Sequence, residues 1–466
     1  MPWKGSGISW TNRAFPGTQA VRMQLVRESR LTLKLALPLM IGQLSQMLLG
    51  VADTVMVGHL GVTELAALTF ANTLFHVPFV FGIGVLTAVS VFSSNARGAD
   101  QPEAARASCR NGHLLALALG LGLFGLSWLI SLHLDRFGQP PEVAARSAVF
   151  FRIVMASMIP ALASIALKNH ADALNRPWPP FWIFLGGVLL NIGLNWLLIH
   201  GKLGFPRLGF EGAAWATLIS RTLILVAMFV WFAKSADLRG WVPDRWLSPS
   251  VREIRRLSAV GFPASIQMLC EVSAFSVAGL MMGGFGRESL AAHQIAITLA
   301  ATAFMVPLGF SMALTVRVGE ALGAGETGRL RGIAVSGWLI VAAFALVAGS
   351  VFLLGGEWLA SLFIGERGVI HLTASLLVIV GVFQLVDGLQ VASSAMLRGL
   401  QDTRVPALMG FVSYWIVGLP VSALLAHTAG MGPRGVWWGL AAGLGVACVT
   451  LGPRLWKRCV RATVGA

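Results

Sequence analysis

Charged residues are scarce in this chain of 466 residues. They make up 12% of it, whereas a soluble domain has about 25%. Hydrophobic residues account for 56%, and the mean hydropathy is +0.74. No stretch has the composition of a separate soluble domain. The scarcity of charge therefore excludes an ordinary soluble protein and indicates an all-α polytopic membrane protein.

Cysteines are few, and the motifs of common enzymes are missing. The four cysteines show neither a disulfide-framework spacing nor a zinc spacing, so we expect no disulfide bonds and no cofactor. The sequence contains no HExxH, Walker A or GxSxG motif. An intramembrane enzyme, such as a prenyltransferase or a protease, would need paired Asp-rich metal motifs or a nucleophile–histidine pair, and neither is present. We therefore predict that the protein is not an enzyme.

Twelve apolar segments follow one another along the chain, each about long enough to cross a bilayer as a helix. The polar, basic stretch 234–256 divides them into two sets of six. We predict a first lobe over 31–233 and a second lobe over 257–453. We expect basic cytoplasmic tails at 1–30, disordered or lying on the surface, and at 454–466.

The distribution of basic residues predicts the orientation of the chain. Of the 35 Lys and Arg residues, 26 lie on the side of the two termini and 7 on the other side. Cytoplasmic loops carry an excess of such residues, so we expect both termini and the central stretch in the cytoplasm. This bias explains the net charge of +15 without a nucleic-acid partner. The first 30 residues contain no apolar core, so we expect no cleavable signal peptide.

The two halves of the chain resemble each other. Residues 35–67 align with residues 260–292 at a constant spacing, so that Pro38 matches Pro263. Because each half has six segments, equivalent helices run in the same direction. Such a parallel repeat has a pseudo-two-fold axis along the membrane normal. Two matching bundles around a central cleft are suited to alternating access.

Two acidic residues lie within apolar segments of the second half. Glu271 is near the middle of Gly261–Gly283, and Asp387 lies in a later segment. A charged group at that depth costs on the order of 3 kcal/mol, so such groups tend to face a cavity and carry function. Each acid shares a helix face with an amide, Gln267 for the first and Gln384 for the second. We predict that the two carboxyl groups bind and release a cation, with Na⁺ as one candidate.

A third candidate acid, Asp53, lies on one helical stripe with Gln46 in the first segment. The fifth segment carries Asn191 and Asn195 one turn apart. Amide oxygens beside a carboxylate suit Na⁺, or a proton with water. Buried amides can also serve only to bind helices together. Arg221, within the sixth segment, could neutralise an acid or extend its stem towards the interface, and we favour a structural role.

Several stretches resemble the multidrug and toxic compound extrusion (MATE) transporters of the bacterial NorM-like branch. They include GVADTVMVGHLG (50–61), LLNIGLNW (189–196), GFPASIQMLCEVSAF (261–275), FQLVDGLQVASSAMLRGLQDTR (383–404) and YWIVGLP (414–420). The resemblance covers about residues 30–455. It implies twelve helices in two six-helix lobes and a place in the bacterial inner membrane.

The resemblance also implies which residues carry function. The cation-coupling positions fall on Glu271 and Asp387 in the second lobe and on Asp53, Asn191 and Asn195 in the first. For the substrate cavity we name Gln294, Thr298, Phe304, Gln267 and Gln384. Some members of the family have a tyrosine where Phe304 stands, and Phe304 has no hydroxyl oxygen to offer to a cation. The identity of the coupling ion therefore stays open between H⁺, Na⁺ or both.

We therefore expect a secondary active antiporter that exports organic cations in exchange for H⁺ or Na⁺. We expect it to act as a monomer in contact with membrane lipid and without nucleic acid. The alternative is a flippase for lipid-linked saccharides from the same superfamily. A flippase would need several cations in its cleft for the pyrophosphate, and the charges within the segments are mainly acidic.

Overall fold

A computed structural model describes residues 18–464, apart from a few side chains. This range contains twelve helices that are long and apolar enough to cross a membrane, and no strand. The predicted all-α polytopic class is confirmed. The helices are α1 (Thr18–Gly58), α2 (Val62–Gly98), α3 (Pro102–Ser131), α4 (Pro141–Ala173), α5 (Trp178–His200), α6 (Phe210–Lys234), α7 (Val251–Gly283), α8 (Arg287–Gly323), α9 (Thr327–Ser361), α10 (Arg367–Gly399), α11 (Arg404–Thr428) and α12 (Pro433–Val464).

Two of the helices are irregular, and each irregularity lies within a few residues of a proline. α4 is interrupted at Ser157, between Ala156 and Met158. Pro160 cannot donate to the carbonyl four residues earlier, and its ring would clash with that carbonyl. α11 contains a π-helical stretch, Val412–Gly418, just before Pro420, which relieves the same conflict. α11 therefore presents its side chains in a different register from a regular helix.

The first helix begins earlier than the sequence suggested. Residues 18–30 belong to α1, so this part of the predicted tail is helical and not disordered, although most side chains of residues 22–27 are exposed. Glu28 is buried and pairs with Arg317 and Arg329, and these ion pairs hold the start of α1 against the second lobe. Residues 1–17 lie outside the described part of the chain.

The other two polar segments are also partly helical. α12 continues through 454–464, where basic side chains of its last turns pair with Asp402, and 465–466 are not described. The central linker is reduced to 235–250. It ends at Ser250, whose hydroxyl accepts a hydrogen bond from the third residue of α7 and so caps that helix.

The helices pack as two lobes, α1–α6 and α7–α12, each around its own apolar cluster. α1 and α2 of the first lobe cross α8 and α7 of the second. At these crossings Gly84 approaches the backbone of Ser265, and Gly309 approaches the backbone of Met40. The two contacts are equivalent in the repeat, because Gly84 corresponds to Gly309 and Met40 corresponds to Ser265. A two-fold axis between the halves requires such a pair of exchanged contacts.

The axis passes between the ends of α2 and α8, on the side of the molecule where α1 begins and α12 ends. Ser94 meets its repeat equivalent Gly319 there. One turn further on, a Cβ at Gly98 or at Gly323 would overlap the backbone of the opposite helix. Only glycine allows this approach, and the two lobes are closed against each other at this end. We call this end the terminus side.

An ionic network also joins the lobes on the terminus side. Glu28 of the first lobe pairs with Arg317 and Arg329 of the second. Arg97 of the first lobe lies 3.9 Å from Glu320 of the second. The side chains of Glu28 and Arg317 are only 2% and 7% exposed. Separating a buried pair leaves an uncompensated charge, so this network opposes separation of the lobes here.

Candidate ion and substrate sites

A cavity of about 340 Å³ lies inside the first lobe, between α1, α2, α4, α5 and α6. We call it the N-lobe cavity. The α1 stripe identified in the sequence contributes Gln46, Gly50 and Asp53 to its wall. Further polar lining residues are Asn72, His76, Ser164, Asn191, Thr217, Ser220 and Arg221. The wall of the cavity thus contains an acid, Asp53, and a base, Arg221. It also contains the aromatic rings of Phe75, Phe79 and Phe184.

Asp53 is tied to α5 by a chain of hydrogen bonds. Asn195 Nδ2 donates to Asp53 Oδ1 at 2.5 Å and to Asn191 Oδ1 at 3.1 Å. Asn191 in turn donates to the Thr217 hydroxyl at 3.3 Å. With the Asn191 amide turned over, its nitrogen donates to Asp53 at 3.0 Å. In either orientation the buried amides hold the carboxyl group at the edge of the N-lobe cavity.

Arg221 places a guanidinium group in the same cavity. Its Nη1 donates to the Ser157 hydroxyl at 2.7 Å, where α4 is interrupted. Its Cζ lies 4.8 Å from the ring centre of Phe75 and 5.4 Å from that of Phe79. Arg221 also attracts the Asp53 carboxylate electrostatically. The sequence favoured a purely structural role for Arg221. Its bond to Ser157 agrees with such a role, but its side chain also lines the N-lobe cavity.

Glu271 of α7 and Asp387 of α10 lie where these two helices of the second lobe meet. A hydrogen bond from Gln267 to Ser394 and a contact between the rings of Phe275 and Phe383, 5.8 Å between centres, join the helices there. At this separation the two carboxyl groups repel each other electrostatically. Asp387 is buried, and its Oδ1 has no hydrogen-bond partner within residues 18–464. Glu271 is partly buried and makes no hydrogen bond or ion pair with any described residue. Arg398 attracts Glu271 at longer range. We call Glu271 and Asp387 the carboxyl pair.

Tyr414, the one tyrosine of the chain, lies beside the carboxyl pair in the π-helical stretch of α11. It is fully buried, and its ring centre is 6.3 Å from that of Phe275. Its hydroxyl lacks a partner among the described residues, as do the side-chain oxygens of Gln384 and Gln390 on α10. Tyr414 lies in the YWIVGLP stretch, but no pattern in the sequence predicts a role for it.

Buried polar atoms are usually satisfied by protein groups, water or ions. The oxygens around the carboxyl pair are hard ligands that suit Na⁺, or a proton with water. In the described part of the chain no three His, Cys, Asp or Glu side chains form a metal-binding group. A sodium ion here would therefore need amide, phenol or water oxygens in addition to the two carboxyl groups.

Two of the predicted cavity residues connect helices. Gln267 of α7 donates to the Ser394 hydroxyl of α10 at 3.0 Å. Gln384, which is buried, donates to the carbonyl of Ala300 in α8 at 2.7 Å. Both amides therefore hold the second lobe together around the carboxyl pair. Their predicted contact with substrate stays a prediction.

The other three predicted cavity residues lie along α8. Gln294 is exposed, and Thr298 and Phe304 are partly buried. The Thr298 hydroxyl donates to the carbonyl of Gln294 at 2.7 Å, so it is satisfied within its own helix. None of the three lines the N-lobe cavity. If these three residues bind substrate, they do so at a surface of the second lobe that is separate from the N-lobe cavity.

Comparisons with known proteins match both lobes. The sequence model of the MatE family matches residues 38–197 and 263–424, once in each lobe. The chain is 36% identical over 440 residues to a probable multidrug resistance protein NorM of Rhizobium meliloti (strain 1021), covering 92% of this chain and 93% of that protein. It is also 36% identical over 440 residues to the multidrug resistance protein NorM of Burkholderia vietnamiensis, covering 93% and 95%.

Two solved structures share the fold. The eukaryotic MATE transporter AtDTX14 superposes with a TM-score of 0.84 at 22% identity, covering 94% of this chain and 99% of that one. The Vibrio cholerae MATE transporter VcmN in its bent form superposes with a TM-score of 0.86 at 21% identity, covering 95% and 99%. At these identities the likeness concerns the fold alone.

Proposed function

Because the chain belongs to the MATE family of multidrug efflux transporters, we propose that it exports organic cations in exchange for H⁺ or Na⁺ by alternating access. The relatives are transporters, so the expectation that the protein is not an enzyme is confirmed. The finer proposal depends on one observation above all. Two carboxyl groups from different helices lie together among buried oxygens that lack partners.

The carboxyl pair provides a basis for exchange. Two carboxylates this close repel each other when both are ionised, and a cation between them removes the repulsion. A proton, a sodium ion or the ammonium group of a substrate can fill that role, but bulk and charge prevent a large cation from sharing the site. Binding of one therefore releases another. The gradient drives the cycle only if ion and substrate differ in affinity between the two states.

Alternating access requires the lobes to separate at one end and then at the other. Here the α2–α8 crossing and the ionic network hold the terminus side closed. The state that opens on that side must break the ion pairs of Glu28 and Glu320. The protein is a multi-pass inner-membrane protein, and we propose that its terminus side faces the cytoplasm, as the basic residues predict.

The flippase alternative gains no support. Two guanidinium groups near the acids of the lobes, Arg221 and Arg398, each interact with one of those acids. Neither is free to bind a pyrophosphate without leaving a carboxylate unpaired.

The test is dye efflux from proteoliposomes, with ethidium as the probe, under an imposed pH gradient alone and then under a Na⁺ gradient alone. We expect Glu271→Gln to abolish gradient-driven efflux. The matched control is Glu366→Gln, since that glutamate is exposed in the loop between α9 and α10. Efflux by Glu271→Gln at the wild-type rate, still driven by a gradient, would contradict the proposed role of the carboxyl pair.

A further inference from the structure

We propose that Arg221 is a fixed cation that makes the N-lobe cavity reject cationic substrates once Asp53 has been neutralised. This inference rests on the proposed exchange of a cation for a coupling ion. It gives the first lobe a part in releasing the substrate, and it gives Arg221 a role in specificity.

Two kinds of contact hold the guanidinium group of Arg221 in place. One nitrogen donates to Ser157 at 2.7 Å, and the group lies over the neighbouring rings of Phe75 and Phe79, at 4.8 and 5.4 Å from their centres. A group held in this way does not swing out of the cavity when its partner loses charge. The cavity volume of about 340 Å³ accepts a small organic cation or one end of a larger one.

Three titratable groups line the cavity: Asp53, Arg221 and His76. With Asp53 ionised and His76 neutral, the charges of the wall sum to zero. When a proton or Na⁺ neutralises Asp53, the guanidinium group is uncompensated and the wall becomes positive. At an effective dielectric constant of about 20, a unit charge some 8 Å away changes the affinity for a monocation by about tenfold or more.

The aromatic rings add a second form of competition. Organic cations bind to the faces of aromatic rings, and here Arg221 already lies over two of them. A substrate cation that binds to Phe75 or Phe79 must therefore share these rings with a permanent charge. While Asp53 is ionised, it draws the guanidinium group and the substrate alike. Once Asp53 is neutral, only the repulsion is left.

The test measures binding of tetraphenylphosphonium, a permanent monocation, to purified full-length protein. Asp53→Asn fixes the acid in its neutral form, and we expect it to weaken binding. Adding Arg221→Gln should then raise the affinity about tenfold, whereas adding Arg221→Lys should not. Ser157→Ala, in the same Asp53→Asn background, removes the hydrogen-bond partner of the guanidinium group but keeps its charge. Because the charge is kept, this variant should not show the tenfold gain in affinity. All variants retain the second lobe, so differences report on the first.

A purely structural Arg221, which only joins α4 to α6, predicts another result. Arg221→Gln would then leave the affinity of the Asp53→Asn protein unchanged or lower it, and this outcome overturns the inference. If the wild-type protein binds and transports cations while the double variant shows no gain, only the role of Arg221 is wrong. If the wild-type protein neither binds nor transports any cation, both this role and the proposed function are wrong.

Discussion

Asn195 of α5 donates a hydrogen bond to Asp53 of α1, with 2.5 Å between the amide nitrogen and the carboxyl oxygen. The bond connects Asp53, the acid of the N-lobe cavity, to α5, a helix that supplies no charged side chain to the cavity wall. Hydrogen bonds to an ionised group are stronger than those to a neutral one. A cation that neutralises Asp53 therefore also weakens the link between α1 and α5, which couples ion binding to helix position.

Asn195→Leu keeps the size of the side chain and removes the donor. A hydrogen bond to a charged group contributes about 1.5–3 kcal/mol, so we expect gradient-driven dye efflux to fall by about tenfold or more. Thr217→Val is the matched control, because it alters the far end of the same chain and leaves the bond to Asp53 in place. Equal losses in the two variants would contradict a special role for the Asn195–Asp53 bond.

Glu28→Gln should open the terminus side more often. It removes the charge that pairs with Arg317 and Arg329 across the lobes and leaves two guanidinium groups near each other. The measurement is the rate at which a maleimide labels a cysteine placed at Ser94, on the axis between the lobes, in a background without the native cysteines. We expect the rate to rise several-fold.

The matched control for that experiment is Asp402→Asn, which breaks ion pairs within the second lobe only. Its labelling rate should stay at the starting value. A rate that rises as much as in Glu28→Gln would assign the effect to general loosening of the fold.

Gly323→Val tests the close crossing of α2 and α8. Its side chain would overlap the backbone at Asn95, and overpacking of this kind typically costs about 1–3 kcal/mol. We expect a lower midpoint of thermal unfolding in detergent. Gly122→Val on α3 is the control, since a Cβ there meets no atom within 4 Å. Equal midpoints for the two variants would count against a tight crossing.

Tyr414→Phe removes one hydroxyl group beside the carboxyl pair and keeps the ring. If that hydroxyl helps to bind the coupling ion, the ion concentration for half-maximal efflux should rise about tenfold while the maximal rate is kept, since the ion loses one oxygen partner. Trp438→Phe, at an exposed position on α12, should leave both values unchanged. A Tyr414→Phe protein with an unchanged ion dependence would exclude Tyr414 from the site.

The twelve helices, the repeat and the acids within the apolar segments were all predictable from the sequence. Apolar length and the cost of a charge in a bilayer are local properties, so Glu271, Asp387 and Asp53 could be identified without knowing what lies beside them. Local sequence patterns predicted the ends of the helices less well. There a basic, polar stretch such as 18–30 continues α1, and its residue Glu28 pairs with arginines of the other lobe.

Other neighbours of these acids, Tyr414 and Arg221, were decided by the tertiary structure alone. Tyr414 reaches the carboxyl pair because α11 departs from regular helical geometry, and Arg221 shares a cavity with Asp53 because α6 packs against the break in α4. The residues in each group come from helices far apart in the chain. No periodicity along one helix can report which groups of another helix will face it, since that depends on how whole helices pack.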